Sequence, residues 1–226
     1  MNEPDATEGP VVQIVENGPY RVKGGVPVAR TAQVETEYGE PVDWAPFAPL
    51  ETSEPVELCR CGATATQPFC DHVCDTNGFD GTEVAVHGTY AERAYPYRGE
   101  GLTLHDERTL CSTAGYCGDR FTNVWAMIGK TDDPEIRERI RHMSRLCPSG
   151  RIVTQPEGEE VDEPDYEPSI GVVKDGPVWV RGRVPVVGAD GGPYEVRNRV
   201  TLCRCGASRN KPFCDGSHKD VRFADG

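Results

Sequence analysis

The stretch LCRCGASRNKPFCDGSH, Leu202 to His218, brings three thiols and one imidazole into seventeen residues. Cys203 and Cys205 stand one residue apart, Cys214 returns nine positions after Cys205, and His218 follows four further on. Three thiolates and a neutral imidazole close a tetrahedral zinc site, or bind the two irons of a [2Fe–2S] cluster. Nearly the same stretch occurs earlier as LCRCGATATQPFCDHVC, Leu58 to Cys74. Outward from each copy the repetition continues. IVENGPYRVKGGVPV, Ile14 to Val28, matches GVVKDGPVWVRGRVPV, Gly171 to Val186, with Asn17-Gly18-Pro19 against Asp175-Gly176-Pro177. Each is a pair of β-rich runs about a turn signal, which predicts a hairpin. The first copy carries an insertion between hairpin and cysteines, EYGEPVDWAPFAPLETSEP (37–55), whose prolines predict a loop.

The pattern C-x-C-x2-S-x3-P-x-C-D-G-S-H in the second copy resembles the CDGSH iron–sulfur family. The resemblance covers about Leu202 to Phe223 and the preceding hairpin. It implies a [2Fe–2S] cluster with Cys203 and Cys205 on one iron and Cys214 and His218 on the other. Ser208, Asp215, Gly216 and Ser217 would then shape the loop and hydrogen-bond around the ligands. It also implies that two such motifs pack together, here within one chain, as an intramolecular pseudo-dimer. A structural zinc knuckle is the bland alternative.

In the first copy Cys59, Cys61 and Cys70 match Cys203, Cys205 and Cys214, Thr64 matches Ser208 and Asp71 matches Asp215. Then Cys74 stands where the second copy has His218, and His72 where it has Gly216. Three readings stay open: an all-cysteine [2Fe–2S] site on Cys59, Cys61, Cys70 and Cys74; His72 as the ligand with Cys74 free; or a dead or zinc-filled site. Arg60 and Arg204, inside each C-x-C, either tune the local charge or are simply solvated.

Between the copies Cys111 and Cys117 lie in LCSTAGYC and Cys147 in CPSG. Bacterial ferredoxins use C-x2-C-x2-C with a distant C-P; here Ala114 takes the middle cysteine's place. Roughly Leu102 to Val153 resembles the divergent mono-cluster ferredoxin segment that accompanies CDGSH motifs. That implies a [3Fe–4S] cluster, or a [4Fe–4S] cluster with a further ligand, for which Thr113 stands where some relatives have His and Asp119 is a substitute candidate. The alternative is three cysteines without a cluster. Thr131-Asp132-Asp133-Pro134 signals a helix start, with Ile136, Ile140, Met143 and Cys147 at helical spacing. Trp125, Met127 and Ile128 read as core beside that helix. His87, in the strand-like VAVHGTY, and His105 and His142 read as ordinary structural or surface histidines.

The sequence therefore predicts a β-rich α+β chain. Residues 1–10 form a disordered tail, 11–83 the first CDGSH-like module, 84–153 the ferredoxin-like module, 154–169 an acidic linker and 170–226 the second CDGSH module. All ten cysteines serve as metal-ligand candidates. The acidic start lacks an apolar leader and no run is long enough to span a bilayer, so the cytoplasm is the expected compartment. A net charge of −13 argues against nucleic acid. It suits either a basic redox partner or mere solubility. No phosphate loop, nucleophile elbow or zincin motif is present. The expected function is a monomeric, non-enzymatic electron carrier, with cluster storage, transfer or redox sensing as the alternative and a zinc-stapled scaffold the third reading.

Overall fold

The computed structural model describes residues 9–225. Most of the tail expected at 1–10 thus lies outside the described residues. The first copy contains β1 (Val11–Ile14), β2 (Tyr20–Lys23), β3 (Val28–Thr31), β4 (Gln33–Glu35), β5 (Pro41–Trp44), β6 (Ala48–Pro49) and β7 (Val56–Leu58). β1 and β2 form the predicted hairpin, Ile14 opposite Tyr20, with Asn17 in the left-handed region that its turn needs. Along β1 buried and half-buried residues alternate, as a strand with one core face requires.

The middle segment contains α1 (Tyr90–Arg93), β8 (Tyr95–Gly99), β9 (Leu102–Asp106), α2 (Val124–Met127), α3 (Pro134–Leu146) and β10 (Ile152–Pro156). β9 lies between β8 and β10 in an antiparallel sheet. α3 begins where the signal predicted: the Asp133 carboxylate accepts from Glu135 N at 2.8 Å and Pro134 opens the helix. Ile140 is fully buried under it with Leu102, Leu104, Val124, Met127, Ile128 and Ile152. Trp125 packs against this core from a half-buried position.

The second copy supplies β11 (Ser169–Val173), β12 (Val178–Arg181), β13 (Val186–Val187), β14 (Arg199–Leu202) and the one-turn α4 (Ser217–Asp220). The copies exchange strands reciprocally. β1 runs parallel to β13, Val12 beside Val186, and β11 runs parallel to β3, Ile170 beside Val28. One apolar core results, built from both copies: Val12, Ile14, Val22 and Leu58 from the first, Ile170, Val172, Val180 and Leu202 from the second. Each such side chain contributes roughly 1.5–3 kcal/mol when fully buried. An isolated two-stranded hairpin such as β1–β2 is marginal at best, and the shared core gives each hairpin a surface to pack against.

Three expectations need correction. The insertion is not a loop throughout: β5 pairs with β4, and β6 adds to the edge of β3. Its prolines do not forbid this, since Pro41 opens a strand and Pro49 sits on an edge. Conversely, the alternating VAVHGTY forms no strand. Its backbone turns in to Lys211 O through the amides of Val84 and Ala85, and His87 stacks on Tyr194. The acidic stretch is tied to the fold rather than wholly solvated, because Asp162 accepts from Arg141 at 2.8 Å and Arg145 at 3.0 Å. Among the described residues no helix is long and apolar enough to cross a membrane.

Candidate metal centres

In the second copy, β14 delivers Cys203 directly. Cys203 N donates to Pro212 O at 2.8 Å and Cys214 N to Thr201 O at 2.8 Å, with Leu202 bridged to Phe213. This narrow ladder holds the two ligand-bearing segments side by side. Cys203 and Cys205 then place their sulfurs 3.8 Å apart. α4 turns His218 back so that its Nδ1 lies 3.5 Å from the Cys214 sulfur. The loop between is stapled by its own side chains. Ser208 Oγ donates to Phe213 O at 2.6 Å, and the Asp215 carboxylate accepts from Arg209 N at 2.9 Å and Ser217 N at 3.0 Å. Gly216 N points at the Cys214 sulfur, 3.5 Å away.

The first copy builds the same frame. Cys59 N donates to Pro68 O and Cys70 N to Glu57 O, both at 2.9 Å. Thr64 Oγ1 donates to Phe69 O at 2.8 Å, and Asp71 accepts from Ala65 N at 2.9 Å and Val73 N at 3.2 Å. The Cys59 and Cys61 sulfurs are 3.6 Å apart, and those of Cys70 and Cys74 are 3.9 Å apart. His72 adopts the left-handed conformation that Gly216 has in the other copy. Its imidazole turns outward, with Nε2 3.0 Å from Glu57 Oε2, while its amide points at the Cys70 sulfur. Cys74, on a single 3₁₀ turn, is the group that the loop brings opposite Cys70.

These spacings have a chemical meaning. Two ligands on one tetrahedral metal, at bonds of about 2.3 Å, stand about 3.8 Å apart. Among the described residues no three His, Cys, Asp or Glu side chains gather about one point as a single ion's ligands would. The candidate ligands come in facing pairs. A pair per metal is what a two-iron cluster asks of a protein, bridging sulfides filling the remaining positions.

The surroundings suit neutral ligands that give up protons to a cation. Burial pushes the Cys214 thiol up, and Cys74 is pushed up to about 12 by burial and by the neighbouring Cys70. Of the Cys203–Cys205 pair, Cys203 is raised and Cys205 lowered, by the hydrogen bond between them. Burial pulls His218 down to about 4, which leaves its imidazole neutral and free to bind metal. Metal binding at such a site displaces the thiol protons.

The two sites touch back to back. Cys61 and Cys205 form an antiparallel bridge, so each C-x-C-G segment lies against the other. A Cβ on Gly62 would stand 2.7 Å from Cys205 O, and one on Gly206 2.6 Å from Cys61 O. Tyr20, of the first hairpin, reaches across to donate to Cys203 O at 2.8 Å. Arg60 and Arg204 are buried, which removes the solvated reading. Arg60 donates to Val15 O at 2.9 Å and Gly81 O at 2.8 Å. Arg204 donates to Val173 O at 2.7 Å and Gly176 O at 2.9 Å, and pairs with Asp225 at 2.6 Å. Each thus ties its C-x-C to its own hairpin turn.

In the middle segment Cys111, Cys117 and Cys147 line one cavity of about 260 Å³, with Ser112, Thr113, Ser149 and Arg151. Cys147 is placed by the end of α3, and Cys117 by its carbonyl, which accepts from Val124 N at the start of α2. Burial, with Cys147 and Cys111 close by, pushes the Cys117 thiol up to about 11. Asp119 is engaged elsewhere: it accepts from Phe121 N and Thr122 N and pairs with Arg139. The insertion hairpin covers this segment. Gln33 donates to Ala114 O at 2.5 Å, Tyr116 Oη to Asp43 O at 2.7 Å and Trp44 Nε1 to Leu146 O at 3.0 Å. The segment also abuts the second copy. Asn210 donates to Thr109 O at 2.9 Å, a Cβ on Gly216 would run into Thr113, and Cys111 is near enough to help raise Cys214.

Sequence reasoning missed two features here, the hairpin clamp and the approach of Arg151 Nη1 to the Cys111 sulfur, 3.0 Å away. The clamp left no signal among so many prolines. Arg60 and Arg204 did leave one, since each lies at the same position of its repeat.

The model of the family described as iron-binding zinc finger CDGSH type matches residues 17–73 and 175–219. That of the divergent 4Fe-4S mono-cluster matches residues 97–156. The first match stops just before Cys74, the position at which the two copies differ. Searches of curated proteins and of solved structures gave no match. The chain thus carries two segments that match the iron-binding CDGSH-type model, flanking one that matches the divergent 4Fe–4S mono-cluster model, and these matches support iron–sulfur binding.

Proposed function

We propose that the protein is a non-enzymatic one-electron carrier with three clusters. The first [2Fe–2S] cluster is held by Cys59, Cys61, Cys70 and Cys74, and the second by Cys203, Cys205, Cys214 and His218. Cys111, Cys117 and Cys147 hold a [3Fe–4S] cluster, or a [4Fe–4S] cluster whose fourth iron takes a ligand from elsewhere. The observation that carries the reading is the pairing of ligands at tetrahedral-edge spacing, twice over, in frames that repeat bond for bond. The clusters supply a one-electron couple; the chain's own part is to hold, shield and tune them. Reciprocal strand exchange supports treating the copies as an intramolecular pseudo-dimer. The net charge of −13 favours a basic redox partner, met as a monomer in the cytoplasm.

One observation favours a second reading, cluster transfer or redox sensing. His218 lines a cavity of about 580 Å³ together with Lys219, Ser112 and Ala114, so an acceptor could approach that ligand. Iron, zinc and acid-labile sulfide in anaerobically purified protein test the proposal. Three clusters give about seven or eight irons and about eight sulfides per chain. About four irons would leave the middle segment without a cluster, and stoichiometric zinc without sulfide would sink the redox reading. Transfer is favoured over electron carriage if a cluster passes intact to an apo-ferredoxin.

A further inference from the structure

Arg151 follows the CPSG turn that carries Cys147, and every nitrogen of its guanidinium is committed. Nε donates to Asp106 Oδ1 at 2.7 Å and Nη2 to Asp106 Oδ2 at 3.1 Å. The third nitrogen, Nη1, lies 3.0 Å from the Cys111 sulfur. Asp106 is itself fixed. Its side chain is fully buried at the end of β9, Trp125 Nε1 donates to it at 3.1 Å, and Arg108 approaches to 3.6 Å. The guanidinium also lies 5.0 Å from the Trp125 ring. A planar guanidinium held by two nitrogens on one carboxylate has no freedom left at the third. Nη1 is therefore aimed at the sulfur by the carboxylate behind it.

We propose that Arg151, positioned by Asp106, tunes the middle cluster by donating a hydrogen bond to the Cys111 thiolate. This rests on the reading that the middle segment holds a cluster. A donor on a cluster thiolate stabilises the reduced, more negative state, and hydrogen bonds to sulfur are among the settings of iron–sulfur potentials. Because Asp106 balances the charge of Arg151, the directed N–H is what the sulfur feels most. The motif residues alone do not supply this contact, since it needs the β9 carboxylate, the CPSG turn and the LCSTAGYC loop together.

The test is a redox titration of the full chain, purified anaerobically and followed by low-temperature electron paramagnetic resonance. In Arg151→Gln, the reduced-to-oxidised ratio of the middle cluster at fixed potential should fall about tenfold, a midpoint lower by about 59 mV for one electron. The Cys59–Cys74 cluster should keep its potential. An unchanged middle potential with the cluster present would overturn the proposal and leave Arg151 as a structural ion pair. If Arg151→Gln fails to hold the cluster, Asp106→Asn decides. It removes the carboxylate that aims Nη1 and balances its charge, so the midpoint of the middle cluster must move, and an unmoved midpoint overturns the proposal. Absence of a middle signal in the unsubstituted protein would instead sink the reading on which the proposal rests.

Discussion

Replacing Gly206 with alanine should damage both paired sites at once, although the residue belongs to one. Gly206 has φ +77°, so any side chain there meets the left-handed penalty of about 1–2 kcal/mol. The new Cβ would also stand 2.6 Å from Cys61 O, a backbone atom, where real Cβ contacts stay above 3.0 Å. The two C-x-C-G segments would have to part by about 0.4 Å. Overpacking of this kind adds about 1–3 kcal/mol. The sum is about 2–5 kcal/mol, or about 4–20 °C in apparent melting temperature at 2–4 °C per kcal/mol. Gly191→Ala is the control, because Gly191 has φ +83° and nothing within 4 Å of its Cβ position. It should lose only the conformational part, about 2–8 °C. The assay is thermal unfolding at a fixed scan rate, read in parallel by far-ultraviolet dichroism and visible cluster absorption. Gly206→Ala should melt below the control and lose iron from both CDGSH-type sites. Equal melting of the two variants, with iron intact, would refute the claim that this contact holds the copies together.

Three further outcomes follow from the same geometry. Cys74→Ala should lower iron by about two per chain while His72→Ala leaves it unchanged; the reverse result would make His72 the ligand. The all-cysteine site should titrate at a lower, pH-independent potential than the site with the neutral His218 imidazole, as all-thiolate centres do relative to His-ligated ones; coincident, pH-independent midpoints would refute this. Asp225→Asn should destabilise the protein by about 3–5 kcal/mol, since it breaks a buried pair with Arg204 that Arg30 also joins. Although burial opposes it, the Arg204 guanidinium holds the Asp225 carboxyl below its usual range. Its contribution is therefore complete above the ordinary carboxylate pKa and is lost as pH falls through the lower folded value. The variant should flatten the acid limb of a stability–pH profile, and an unchanged limb would show that other carboxylates set it.

How much was legible in the sequence depends on whether the signal was local. The hairpins showed, because Asn17-Gly18-Pro19 and Asp175-Gly176-Pro177 encode their turns within three residues. α3 showed, because its cap and its apolar spacing are contiguous. The ligand candidates showed through spacing. The strand exchange of β1 with β13 and β3 with β11 did not, since parallel pairing across more than 130 residues leaves no mark on either partner. VAVHGTY alternates like a strand, yet Val84 N and Ala85 N share one carbonyl, Lys211 O, and Thr89 N and Tyr90 N go to the carboxylates of Glu92 and Glu195. The insertion misled in the opposite sense. Its prolines lie where a strand tolerates them, and the hairpin is held by what it covers, through Gln33, Asp43 and Trp44.

The same division explains why the two copies differ where they do. Ligands one to three in each copy are bound into shared packing: Cys59 and Cys203 by the strand ladder, Cys61 and Cys205 by one another's backbone, Cys70 and Cys214 by the return strand. Moving any of them would move the common core. The fourth ligand sits past the Asp71 or Asp215 staple, on a single turn that contributes no strand to that core. There the first loop carries His72 in the left-handed conformation that Gly216 adopts in the second, and the chain reaches the same endpoint with a thiol instead of an imidazole. On the proposed assignment, one scaffold therefore presents two ligand sets of different charge without a change of fold. The second loop lacks this freedom at the matching position, because Gly216 is pressed against Thr113 of the middle segment and leaves no room for a Cβ. A histidine at position 216, mimicking His72, should accordingly displace the middle segment, which Gly216→Ala would already reveal as a loss of the middle cluster's signal ahead of the other two.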